Sequence, residues 1–231
     1  MEIREMMRNA HKEAKMLEIG CGTSQEASRI MGLTGGSVTC LDVAQGMIDF
    51  SLEKMRRLGL SGRYRAFKMP AAEVGKIGET FDLVYSFNGA LNSEPDLENF
   101  FRGIVQVTEP GGVLLLSFRS RFCLGEWLYY RIRNDPDSYR SKRGEYVDVG
   151  VVNSSVRVRY LSLKEIRDLL PANFRITRAI GLGILFPPYA ASRVKWSLAR
   201  KAVIAVERIL SLVPVISGFG DQILVTAVRV S

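Results

Sequence analysis

Short apolar runs alternate with longer amphipathic stretches through the first half of the chain, regularly enough to predict its elements. "KMLEI" (15–19) reads as a buried strand, "SQEASRIMGL" (24–33) as a helix closed by the glycines of "TGG", and "SVTCLDV" (37–43) as the next strand. "AQGMIDFSLEKMRRLGL" (44–60) is an amphipathic helix with Ile48, Leu52 and Met55 on one side. "RYRAFKM" (63–69) and "FDLVYSF" (81–87) are the third and fourth strands. "EPDLENFFRGIVQVT" (94–108) is a helix with Pro95 near its start, and an "EPGG" turn leads from it into the apolar strand "VLLLSF" (113–118). Five strands separated by helices predict an α/β, doubly wound sheet, mostly parallel, with helices on both faces.

The rhythm changes after residue 118. Residues 119–144 are basic, aromatic-rich and helical in character. "EYVDVGV" (145–151) and "SVRVRYL" (155–161) alternate apolar and polar positions around "VNS", which predicts a hairpin or paired strands. "SLKEIRDLLP" (162–171) is a helix whose Ser162 and Glu165 have the spacing of a capping box. "FRITRAIGLGI" (174–184) is a sixth strand, 191–212 a basic amphipathic helix, and "QILVTAVRV" (222–230) a terminal strand.

Composition narrows the class. With 47% hydrophobic and 24% charged residues, the 231-residue chain reads as one globular domain with ample material for a core. "MEIREMMRNAHKEAK" lacks the apolar run of a secretory signal, and the longest apolar stretches are too short and too broken by Pro and Gly to span a bilayer. Three widely spaced cysteines (Cys21, Cys40, Cys123) and a single histidine (His11) offer neither a disulfide framework nor a metal site, so a cytoplasmic location is expected and no metal. Charge is unevenly placed: 13 Lys/Arg against 15 Asp/Glu in residues 1–118, but 19 against 9 in residues 119–231. A basic second half attracts anionic partners: phosphorylated substrates, nucleic acid or lipid headgroups.

The chemistry concentrates in "KMLEIGCGTSQEASRIM" (15–31). A dinucleotide site requires Gly-x-Gly-x-x-Gly, and here the sixth position is Gln25, a long side chain where a pyrophosphate needs the closest approach. Two acids frame the loop instead. Glu18 ends the first strand, and Asp42 ends the second, where a carboxylate can accept both hydroxyls of a ribose. Cys21 lacks the partners of a nucleophile, and His11 lies far from any Ser–His–Asp arrangement.

"MLEIGCGTS", "CLDVAQGMI", "FDLVYSF" and "TEPGGVLLLSF" resemble, in order and spacing, the motifs of the class I (Rossmann-like) S-adenosylmethionine-dependent methyltransferases over residues 15–118. The resemblance implies a seven-stranded sheet with an antiparallel last strand, and S-adenosylmethionine as cofactor. Its implied cofactor residues are Glu18, Gly20, Cys21, Gly22, Asp42, Val43, Met47, Ala72, Glu73, Ser86 and Phe87. Gly20 and Gly22 would turn beneath the methionine moiety, Glu18 would help hold its ammonium, and Asp42 would take the ribose. Val43 and Met47 would pack on adenine, while Ser86 and Phe87 would offer carbonyls to the methionine amine. The family often has an acid near the adenine amine; here Ala71, Ala72 and Glu73 occupy that region, so the acid is missing or displaced to Glu73. Ser24 stands at a common third glycine, a small and tolerable replacement.

The acceptor is less legible. "SFNGALN" replaces the Asn/Asp-Pro-Pro-Tyr of amino-methylating DNA enzymes, and Asn88 and Asn92 are candidates to orient a polar group or to form a turn. No catalytic base is identified. Residues 1–118 form the cofactor-binding half, and 119–160 and 186–213 are the candidate substrate cap. A small-molecule acceptor, an apolar or anionic metabolite, is the favoured expectation. The alternative is an RNA- or protein-directed enzyme docking through the basic half. No transmembrane segment is expected, peripheral membrane contact is open, and oligomeric state is undetermined.

Overall fold

The computed structural model describes residues 8, 11, 13–140, 146–151, 154–185, 205–207, 209–211 and 214–230. Seven strands form one sheet in the order β3-β2-β1-β4-β5-β9-β8. They are β1 (Lys15–Ile19), β2 (Ser37–Asp42), β3 (Tyr64–Lys68), β4 (Phe81–Ser86), β5 (Thr108–Arg119), β8 (Phe174–Leu182) and β9 (Gln222–Arg229). β1 to β5 run parallel, and β9 is antiparallel to both β5 and β8. This is the predicted sheet with its antiparallel last strand. β6 (Val147–Val151) and β7 (Ser154–Val158) form a separate antiparallel hairpin, also predicted.

The strands are apolar on both sides because helices cover both faces. On one face, α1 (Gln25–Thr34) and α2 (Gln45–Arg57) bury Ala27, Ile30, Met31, Ile48 and Met55 against Met16, Cys40, Leu83 and Leu115. On the other, α3 (Leu97–Val107) and α6 (Leu163–Leu169) cover Leu17, Ile19, Leu41, Val84 and Leu116. One side-chain assignment within α2 differs from expectation. Leu52 is 43% exposed, and Ser51 takes the buried position between Ile48 and Met55, its hydroxyl donating to the Ile48 carbonyl. The i, i+3, i+7 spacing of 48, 51 and 55 keeps one stripe inward, and Leu52 falls beyond its edge.

The capping box of α6 forms as expected: Ser162 Oγ accepts from Glu165 N, and Glu165 Oε2 accepts from Ser162 N at 2.8 Å. The basic segment after β5 is helical over α4 (Leu124–Ile132) and α5 (Pro136–Arg140). Most of the amphipathic stretch 191–212, including 191–204, and the charged N-terminal stretch fall largely outside the described residues; 205–207 and 209–210 are helical. Among the described residues no helix is long and apolar enough to cross a membrane, and no group of three potential metal ligands occurs.

Candidate functional site

Parallel strands end together at one edge, and their connecting loops open a cleft there. Adjacent strand ends are stitched across that edge. Gly20 N and Cys21 N both donate to the Leu41 carbonyl, at 2.8 and 3.1 Å, and Met69 N donates to the Asp42 carbonyl at 2.9 Å. The edge therefore runs in the order β3, β2, β1, β4. The cleft encloses about 580 Å³ and is walled by Gly20, Gly22, Asp42, Val43 and Met47 together with Met69–Ala71 and Ala90–Leu91, Ser93–Pro95.

The glycines stand where the loop needs them. Gly20 has φ +70°, and a Cβ there would lie 2.4 Å from Ala90 Cβ, so only glycine lets the loops after β1 and β4 meet. Gly22 has φ +50° and nothing within 4 Å of a Cβ, so its backbone borders open space. Asp42 fixes the loop through both oxygens: Oδ2 accepts from Gly22 N at 2.8 Å and Oδ1 from Ala44 N at 2.9 Å. Carboxylate acceptor capacity remains, since each oxygen has a second lone pair. Ser24 also takes a left-handed conformation (φ 48°), where glycine would be unstrained. Its buried hydroxyl shares a 2.6 Å hydrogen bond with the Tyr64 hydroxyl, which offsets that strain.

Val43 and Met47 are 63% and 42% exposed, apolar side chains presented to the cleft rather than to the core. The only charged side chains among the described wall residues are Asp42 and Glu94. A phosphate would meet two carboxylates and no cation there. Hydroxyls, amines and positive charge suit the site better.

Several candidate residues lie outside this cleft. Glu18 is buried on the α1–α2 side of the sheet, where Cys40 Sγ donates to its Oε2 at 3.3 Å. Burial holds its carboxyl well above the usual 4.5, with nearby Cys21 adding to the effect. The Tyr85 hydroxyl, buried in the same region, has no partner at hydrogen-bonding geometry among the described residues, and burial followed by the neighbouring Glu18 pushes its pKa well up. Cys21 is buried in the same core beside Cys40, whose thiol is pushed well up by burial. Ser86 is buried with its hydroxyl on the Ile19 carbonyl at 2.9 Å, and Phe87 packs against Tyr85.

Glu73 points outward to Lys76 at 2.9 Å, and Ala72 is not itself a wall residue. Asn88 is exposed in a left-handed turn with Gly89. Asn92 is fully buried: its amide donates to the Arg119 and Arg159 carbonyls, and its Oδ1 accepts from Arg119 N at 2.7 Å. That amide is fully used by backbone. Sequence reasoning passed over Ala90, Leu91 and Glu94. Only the meeting of the loop 90–95 with the turn 70–72 marks them, and no local motif does.

Residues 16–112 match the family model described as a methyltransferase domain. Sterol 24-C-methyltransferase erg-4 of Neurospora crassa is 28% identical over 138 residues, covering 60% of this chain and 32% of that protein. The ubiquinone/menaquinone biosynthesis C-methyltransferase UbiE of Haemophilus ducreyi is 32% identical over 108 residues, covering 46% and 41%. The chain thus spans about a third of the length of the sterol relative and about two fifths of the quinone relative. Among solved structures, geranyl diphosphate C-methyltransferase from Streptomyces coelicolor, in complex with Mg2+, geranyl diphosphate and S-adenosyl-L-homocysteine, superposes with a TM-score of 0.63 at 14% identity. That match covers 99% of this chain and 78% of the other, a likeness of fold.

Proposed function

We propose that this chain is a class I S-adenosylmethionine-dependent methyltransferase that binds that cofactor in the cleft and delivers its methyl to a small apolar molecule. The observation that carries the reading is the convergence of Gly20, Gly22, Asp42, Val43 and Met47 on one wall system. The residues fit the group. Gly22 leaves open space for close backbone approach, Asp42 retains acceptor capacity for ribose hydroxyls, and Val43 with Met47 offers an apolar surface for a base. The cofactor supplies a methyl on a sulfonium, an electrophile that needs alignment more than activation. The chain's part is to fix that alignment and keep water away. Negative charge from Asp42 and Glu94, unopposed by a cation among the described wall residues, favours a positively charged ligand.

Among the described residues, those walls contain no His, Cys, Lys or Tyr. An acceptor that needs no strong base, such as an electron-rich carbon, suits such a site better than a high-pKa hydroxyl. The curated relatives named as sterol and quinone C-methyltransferases support the same substrate class. Two contacts support a covering role for the candidate cap: Arg159 N donates to the Asn92 carbonyl, and the Tyr146 hydroxyl reaches the Pro95 carbonyl at 3.5 Å, beside the rim. Calorimetry with S-adenosylmethionine and S-adenosylhomocysteine tests the cofactor half of this reading. Both should bind, and Asp42→Ala should weaken binding by about a hundredfold or more, as loss of a charged hydrogen-bonding group does. Unchanged affinity in that variant would sink the assignment.

A further inference from the structure

We propose that Glu94 recognises the exocyclic amine of the cofactor's base, replacing the acid missing from the turn after β3. The inference rests on the reading above that the cleft takes S-adenosylmethionine. Val43 and Met47, the apolar surface offered to the base, follow β2 and share the cleft wall with the end of the adjacent β3, so a base packed on them faces the β3 end. The β3 end is formed by Met69, Pro70 and Ala71, which bring no side-chain acceptor. Glu73, the sequence's own candidate, is paired with Lys76 and turned outward.

Glu94 arrives at that end from a different element. It follows β4 in sequence, yet its Oε2 accepts from Ala72 N at 3.2 Å and its Oε1 from Asp96 N at 3.1 Å. It is 8% exposed and forms part of the cleft wall. A carboxylate accepts about four hydrogen bonds, and the backbone uses two here. What remains is a nearly buried acceptor at the base end of the cleft. Such a group favours an amino substituent, which donates, and disfavours a carbonyl, whose lone pairs face its own. If Glu94 only clamped the loop 94–96 to the turn 71–72, it would affect all nucleosides alike.

That difference is the test. Calorimetry on the full chain would compare S-adenosylhomocysteine with its 6-oxo analogue S-inosylhomocysteine, for the unaltered protein, Glu94→Gln and Glu73→Gln. The unaltered chain should prefer the amino compound by about tenfold or more. Glu94→Gln should compress that preference about tenfold, because a carboxamide can turn its N–H toward a carbonyl, while Glu73→Gln should leave it intact. A ratio of affinities does not depend on how much of the variant is folded. The proposal is overturned if Glu94→Gln weakens both ligands equally, if Glu73→Gln erases the preference, or if the unaltered chain binds both compounds equally. Binding of neither compound by the unaltered chain would instead overturn the cofactor reading and take this inference with it.

Discussion

Glu18 shows what a single position can mean on two sides of one sheet. Its place two residues before Gly20 points to the ligand, while its side chain enters the α1–α2 core beside Cys40 and Tyr85. Because burial raises its folded pKa above the usual 4.5, the native state holds more protons than the unfolded chain above that pH. Stability conferred by the protonated form is complete below about 4.5 and is lost as pH rises through the folded value. Glu18→Gln removes this pH dependence and retains a carbonyl for the Cys40 thiol. Thermal melts should show Tm falling less between pH 5 and pH 8 in the variant than in the unaltered chain, by about 2–4 °C for each 1 kcal/mol removed. Equal slopes would mean that Glu18 does not titrate in this window.

Elements hold the Ala71 side of the cleft wall in place by close approach. α3 lies against the 3-10 segment Ala71–Ile77 through two glycines: a Cβ on Gly103 would stand 2.9 Å from Gly75 N and 2.9 Å from Val74 Cγ1. Gly103→Ala gains up to about 1 kcal/mol of helix propensity, but it must push backbone apart, at about 1–3 kcal/mol. With the full propensity gain, the expected net is destabilisation of up to about 2 kcal/mol, together with weaker S-adenosylhomocysteine binding, because Ala71 belongs to both the displaced segment and the cleft wall. Denaturant unfolding and calorimetry on the same samples measure both. A stabilised variant would show that the two elements can separate freely.

For the whole molecule, the uneven charge poses the remaining choice between a small acceptor and RNA. In the described part of the basic half, Arg131 and Arg133 lie over the rings of Trp127 and Tyr129, at 5.5 and 4.9 Å from the ring centroids. Those rings are covered by the protein's own cations rather than left open for base stacking. Electrophoretic shifts with mixed RNA should therefore show no binding, or weak binding that disappears between about 50 and 200 mM salt. Tight, salt-resistant retention would favour the RNA-directed alternative over a small apolar acceptor.

The local pattern by itself determined the strands, the glycine turn and the acid that ends β2, because hydrophobic period and backbone freedom act over a few residues. "KMLEI", "SVTCLDV" and "QILVTAVRV" lie within a residue or so of the observed strands. Tertiary structure decided which way side chains face and which distant loops meet. Glu18 and Asn92 are held within the protein, Glu73 faces outward, and Glu94 reaches the turn 71–72 from 22 residues away. No local spacing encodes that last contact, because it arises only when β4 and β3 end on the same edge of one sheet.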